Sequence, residues 1–195
     1  KNMEATVRQL LARPASLSTR TIACDIFIHV ERDPGCLLHA HDFLGLYSNR
    51  YTHALVLLDH EGCGQESRPP EALEKEIVRR LEESGWKGRA AAILIQPELE
   101  AWVWSDSPHV PKSLGWTEPI TELRAWLVSQ GLWEEGRDKP HRPKECVERA
   151  LRSTRRPRSS ALYATLATEV GLGRCIDPAF ARFKQTLQQW FPVSE

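Results

Sequence analysis

The chain has 195 residues, 41% of them apolar, and a formal net charge of +0, which suits one domain with an appendage or two small ones and is enough to bury a core. It has no apolar run of about 18 residues, which excludes a membrane-spanning helix, and no charged-then-apolar start with a small-residue cleavage site, so a secretory signal is not expected. The charge is unevenly spread. From Asp59 to Asp106 there are eleven acids and six Lys or Arg, and from Arg137 to Arg158 there are nine Lys or Arg and three acids. That fits a protein holding a cation in one place and a polyanion in another, and it equally fits two solvated faces of opposite sign. Cys24, Cys36, Cys63, Cys146 and Cys175 are an odd set without a C-x-x-C. They read as reduced thiols, and the expected compartment is the cytoplasm.

In chain order, residues 2–11 read as a helix, with Met3, Val7, Leu10 and Leu11 on one face and Pro14 beyond its end. Thr21 to Val30 is a short apolar, β-branched run and predicts a buried strand, followed by a turn at Asp33-Pro34-Gly35 and a helix from Asp42 to about Asn49. His53 to Leu58 (HALVLL) is the clearest buried strand, and it runs into Asp59-His60-Glu61-Gly62. Pro69 and Pro70 open a helix over 71–84 that places Leu73, Ile77 and Leu81 inward, with Gly85 at its end. Ala90 to Ile95 (AAAILI) is a further buried strand, and Pro97 predicts a helix through LEAWVW.

Strands alternating with helices predict an α/β fold with a largely parallel sheet flanked by helices. The carboxyl ends of the strands, where Asp59 and the Pro97-Glu98 segment both lie, would then share the ligand-binding edge. After Asp106 Pro, Ser, Trp and Gly are frequent, and helices are expected over 120–130, 143–152, 160–170 and 178–191. Residues 1–106 thus read as an α/β domain and 107–195 as a helical appendage.

Two segments carry candidate chemistry. Asp59 and Glu61, two apart after a strand, can face one cavity because side chains alternate across the pleat, with His60 on the opposite side. Two such carboxylates repel unless a cation lies between them, and Mg²⁺ or Mn²⁺ suits oxygen ligands. An Asp that caps the next element beside a solvated Glu would give the same pattern. In Pro97-Glu98-Leu99-Glu100-Ala101-Trp102 the two acids of a helical first turn point about 200° apart, so they would not share a role. A zinc reading of Cys36, His39, His41, His60 and Cys63 matches no usual finger spacing, and Trp102 and Trp104 read as core or lid residues.

Together LLDHEG and PELEAW resemble a branch of Toprim-like proteins found beside prokaryotic anti-phage modules, related to the overcoming-lysogenization and RloB nuclease groups. In that branch a D-x-D followed by Gly, and a P-x-x-E-x-W segment, stand at the matching places. PKECVERAL, RRPRSSALYATLA and FARFKQTLQQW also resemble its helical tail, so the likeness extends thinly over most of the chain. Glu61 replaces the family's second Asp, and the Glu that Toprim domains carry after their first strand has no counterpart here. The opening helix resembles the one that follows that strand, and the resemblance implies an expectation that the strand and its Glu lie upstream of Lys1.

The resemblance implies a Toprim-like fold with Mg²⁺ or Mn²⁺ on Asp59, Glu61 and Glu100. It also implies a nuclease or nucleic-acid-processing subunit of a defence system, with other defence proteins as partners. Lys144, Arg155, Arg156 and Arg158 would hold nucleic-acid phosphates without reading sequence. The alternative is the same fold with an impaired site, serving assembly or nucleic-acid binding in a defence complex. Oligomeric state is left open by the sequence.

Overall fold

The structure, a computed structural model, describes residues 1–193. The chain forms two compact units, a continuous one over Phe27–Glu98 and a discontinuous one made of Lys1–Ile26 and Leu99–Glu195. The units interleave in sequence, where composition had suggested a single break after Asp106.

The continuous unit is a βαβ element with one further helix. Strand β1, Ala54–Asp59, alternates buried and half-buried positions, so that Ala54, Val56 and Leu58 enter the core. Strand β2, Ala90–Ile95, pairs with it in parallel from Ala54↔Ala90 to Asp59↔Ile95. The predicted α/β class and parallel pairing are therefore present, in a sheet of two strands. With α1 over Asn2–Leu11 and α2 over Pro14–Leu17 in the other unit, the further helix here is α3, Arg32–Gly45. The crossover helix α4, Pro70–Leu81, starts with Pro at its first turn, where the missing N–H is not needed. Its Leu73, Ile77 and Leu81, spaced by four, are fully buried and join Leu37, Val56, Leu58 and Trp86 in one core.

Helix α4 leaves through a π-type turn, Glu82–Trp86, in which Gly85 has φ +96°. A side chain there would meet Ser48 Oγ at 2.9 Å, so glycine answers both a left-handed conformation and a close approach. Beyond the turn Arg89 lies over the Trp86 ring at 5.0 Å and donates to the carbonyls of Ser48, Tyr51, Thr52 and Gly85. One guanidinium thus satisfies acceptors that follow α3 and α4, which a planar five-donor group can do and an ammonium cannot.

The discontinuous unit is helical. Helix α1, Asn2–Leu11, buries Thr6, Val7 and Leu10 against α8, Ser160–Glu169. The short α2, Pro14–Leu17, follows it, and Arg13 donates to the carbonyls of Ala167 and Val170 at 2.5 and 2.9 Å, closing the end of α8. Helix α5 spans His109–Leu114, α6 spans Ile120–Ser129, α7 spans Pro143–Ser153 and α9 spans Pro178–Trp190. Asp177 caps α9, accepting from Phe180 N–H at 3.1 Å and from Trp102 Nε1–H at 3.0 Å.

Several sequence expectations are corrected. No strand forms over 21–30: the segment is without a ladder, and Val30 is 89% exposed. A β-branched apolar run forms a strand only where a neighbour supplies its hydrogen bonds and a surface to pack on, and no pairing partner reaches this one. Asp33-Pro34-Gly35 opens α3 instead of making a turn, because proline is tolerated in a helix's first turn. The helix expected from Pro97 is a single 3₁₀ turn, Leu99–Trp102. The stretch over 107–119 contains α5, which Val110 and Leu114, four apart and both buried, anchor. Trp102 and Trp104 are core residues, as the sequence suggested.

Burial pushes the Cys36 thiol up to about 11 and the Cys146 thiol up to about 12. Their ordinary value is 9.0. Both thiols are favoured as neutral groups, so their contribution to stability is complete below pH 9 and is lost as pH rises toward the folded values. The urea midpoint is expected to fall between pH 9 and 11, and to fall less steeply in Cys36→Ala/Cys146→Ala. Equal slopes in the two proteins would show that other groups govern alkaline unfolding.

Candidate functional site

The end of β1 positions the first candidate residues, all within the continuous unit. Past Asp59 the chain keeps its place beside the β2 side for two more residues, with His60 N–H on Ile95 O at 2.9 Å and Glu61 N–H on Pro97 O at 2.8 Å. His60 is 8% exposed and its Nε2 lies 2.9 Å from Arg68 O, whereas Asp59 is half-buried and Glu61 is exposed. The histidine is turned inward between two acids that keep solvent access, as alternation along an extended backbone requires. Asp59 N–H donates to Asp33 Oδ1 at 3.0 Å, so an acid from the start of α3 is fixed beside the strand end. Nothing in the sequence pattern marked Asp33 for this position, because the contact spans 26 residues.

Gly62 then turns the chain with φ +85°, and Gly64 repeats that value. Their N–H groups both donate to Glu66 Oε1, at 2.9 and 3.0 Å. The N–H groups of Gly64, of Glu66 itself and of Gly62, with His60 nearby, hold the Glu66 carboxyl below its usual range. The sequence sign of this arrangement is G-x-G-x-E, which the acid pair beside it had overshadowed.

Glu100 lies in the discontinuous unit and is 2% exposed. Its carboxylate accepts from the Tyr163 hydroxyl and from Arg158 Nη2. Arg158 Nε also donates to Tyr163 Oη at 2.8 Å, and Glu148 Oε1 lies 3.7 Å from Arg158 Nη1. Burial, and after it the adjacent Glu100 carboxylate, push the Tyr163 hydroxyl far above the ordinary tyrosine range. Glu100 and Arg158, expected in separate roles as metal ligand and phosphate contact, are thus directly paired. Of the other predicted basic contacts, Arg155 is exposed with φ 57°, and Arg156 Nη1 donates to Ser113 O at 3.3 Å. Lys144, at the start of α7, is half-exposed and also engaged.

The zinc-type residues take other roles. His39 and His41 lie 3.6 and 3.4 Å from Asp42, while Cys63 is buried and its sulfur accepts from Gln65 N–H at 3.4 Å. Among the described residues no three His, Cys, Asp or Glu side chains gather as a metal cluster. Asp59 and Glu61 nonetheless suit Mg²⁺, which is commonly held by one or two carboxylates together with water and substrate phosphate. Glu100 as it stands is satisfied by Arg158 and Tyr163.

The fold and site therefore define an α/β protein whose parallel βαβ element carries an acid pair and a glycine-bounded loop at one strand end. Comparison of the chain with protein-family models, with curated proteins and with solved structures finds no match. No described helix is long and apolar enough to cross a membrane.

Proposed function

We propose that the chain is a Toprim-like, divalent-metal-dependent nuclease or nucleic-acid-processing subunit of a prokaryotic defence system, acting in the cytoplasm, with Asp59 and Glu61 holding Mg²⁺ or Mn²⁺. The observation that carries this reading is the strand-end triplet, in which His60 is buried while Asp59 and Glu61 keep solvent access. Such a cation would polarise a phosphoryl oxygen and lower the pKa of bound water. The residues' own part is to hold two negative charges beside a fixed third, Asp33, at the edge where open α/β sheets bind ligands. Glu100 is left out of this set, because Arg158 and Tyr163 already engage its carboxylate. Phosphate contact falls to Lys144, Arg155 and the remaining donors of Arg156, while Arg158 is committed to Glu100.

Calorimetry with Mn²⁺ tests the assignment. Asp59→Asn and Glu61→Gln are each expected to weaken binding at least about 10-fold, as loss of a charged oxygen ligand should. Parent-like binding in both variants would remove the metal site. Reversing the charge of Arg155 and Arg156 should also flatten the salt dependence of nucleic-acid binding.

A second reading, an assembly or binding module with an impaired site, is favoured by a different observation. Phe27, Ile28, Val30 and Leu46 of the continuous unit are 44%, 44%, 89% and 82% exposed, and the Phe27 ring stacks on Tyr47 with centroids 5.1 Å apart. Apolar surface of this kind marks interaction sites. A parent protein that binds no divalent metal would turn the choice to this reading.

A further inference from the structure

We infer that the loop from Gly62 to Glu66 is a phosphate-binding nest, held shut in the free protein by the Glu66 carboxylate. Two N–H groups, of Gly62 and Gly64, converge on the single oxygen Glu66 Oε1 at 2.9 and 3.0 Å. The donors alternate, since the intervening Cys63 N–H turns back to His60 O at 3.3 Å, and converging backbone donors around left-handed residues form a concavity with fixed positive partial charge whose natural occupant is an anionic oxygen. Here that occupant comes from the chain itself.

Three features distinguish this loop from an internal cap. The loop and its occupant are open to solvent: Gly62, Gly64 and Glu66 are all exposed, so Glu66 can swing out and another anion can enter without unfolding anything. Both glycines stand at φ +85°, and a side chain built at either would meet nothing within 4 Å. Glycine is thus required by the backbone conformation that aims the N–H groups and not by crowding. The loop also begins directly after Asp59 and Glu61, at the carboxyl end of a parallel strand, the edge where α/β sheets receive ligands.

The occupant is a phosphate oxygen. A carboxylate and a phosphate present the same acceptor to converging N–H groups, and a phosphate brings additional oxygens for a cation on the neighbouring acids. Asp59, Glu61 and Glu66 would oppose a bare phosphate. Departure of Glu66 from the nest, and a divalent cation on Asp59 and Glu61, both lower that repulsion. The inference rests on the metal reading for what the phosphate belongs to, a nucleic-acid substrate, and stands apart from it for the binding of the anion.

The test follows the Gly62 and Gly64 amide signals by NMR while inorganic phosphate is titrated at constant ionic strength. In Glu66→Ala both signals should move saturably, at a phosphate concentration several-fold below that needed in the parent. Glu66→Gln serves as a second variant that keeps the side chain's length and should lie between them. Addition of Mg²⁺ should tighten phosphate binding in Glu66→Ala and leave Asp59→Asn/Glu66→Ala unchanged. Saturable movement without a Mg²⁺ effect supports the nest and removes the metal reading. Absence of saturable movement in Glu66→Ala and Glu66→Gln overturns the nest, even where calorimetry finds the metal.

Discussion

Replacing Arg158 by Met is expected to destabilise the discontinuous unit by about 2–3 kcal/mol, and adding Glu100→Gln is expected to recover most of that loss. Glu100 is 2% exposed, and its charge is compensated by Arg158 and a tyrosine hydroxyl. Removing one partner of a buried pair costs about 3–5 kcal/mol, because the other charge is left without compensation. The Arg158 side chain is 32% exposed, which reduces the figure through solvent screening. Methionine keeps most of the aliphatic stem, so the loss reports charge and hydrogen bonding more than packing. The double variant removes the stranded charge and leaves an amide that Tyr163 can still reach. Urea unfolding gives the magnitudes, and hydrogen exchange in α8 assigns them to this unit. A double variant as unstable as Arg158→Met would show that the arginine acts through packing.

Trp86→Ala should have the largest effect in the continuous unit, about 3–5 kcal/mol, the range for truncating a buried aromatic side chain. Trp86 is 1% exposed and donates its Nε1–H to Leu44 O at 3.0 Å, so truncation opens a cavity and leaves that carbonyl with the Tyr47 N–H at 2.9 Å as its remaining donor. It also takes away the surface on which Arg89 rests while it holds four carbonyls. Trp86→Phe keeps much of the volume but loses the donor and should cost clearly less. Parent-like exchange protection in β1 and β2 of Trp86→Ala would place the organising contact elsewhere.

What the sequence disclosed follows from the range of the interactions involved. The apolar runs of β1 and β2 and the four-residue spacing of α4 are local signals, and the structure reproduces them within a residue or two, apart from an earlier end to α4. The run over 21–30 carries the same local signal, yet strand formation depends on a partner that sequence pattern does not supply. At the site, Asp59 and Glu61 were visible because two acids follow a strand directly. The engagement of Glu100 was not, since Arg158 and Tyr163 lie 58 and 63 residues away and neither type announces a carboxylate partner. Asp33 was hidden for the same reason, and the inward turn of His60 was readable from alternation alone.

The interleaving of the units bears on how the chain is made. The continuous unit can close as soon as Glu98 has left the ribosome, but α1 must wait for α8: Asn2 and Ser160, which meet through their side chains, are 158 residues apart. At roughly 5–20 residues per second, translation leaves the apolar face of α1 without its partner for on the order of ten seconds or more. During that interval Val7 and Leu10 are available to chaperones and to other nascent chains. Early synthesis, more than the finished molecule, is thus the stage at which this protein is most exposed to aggregation.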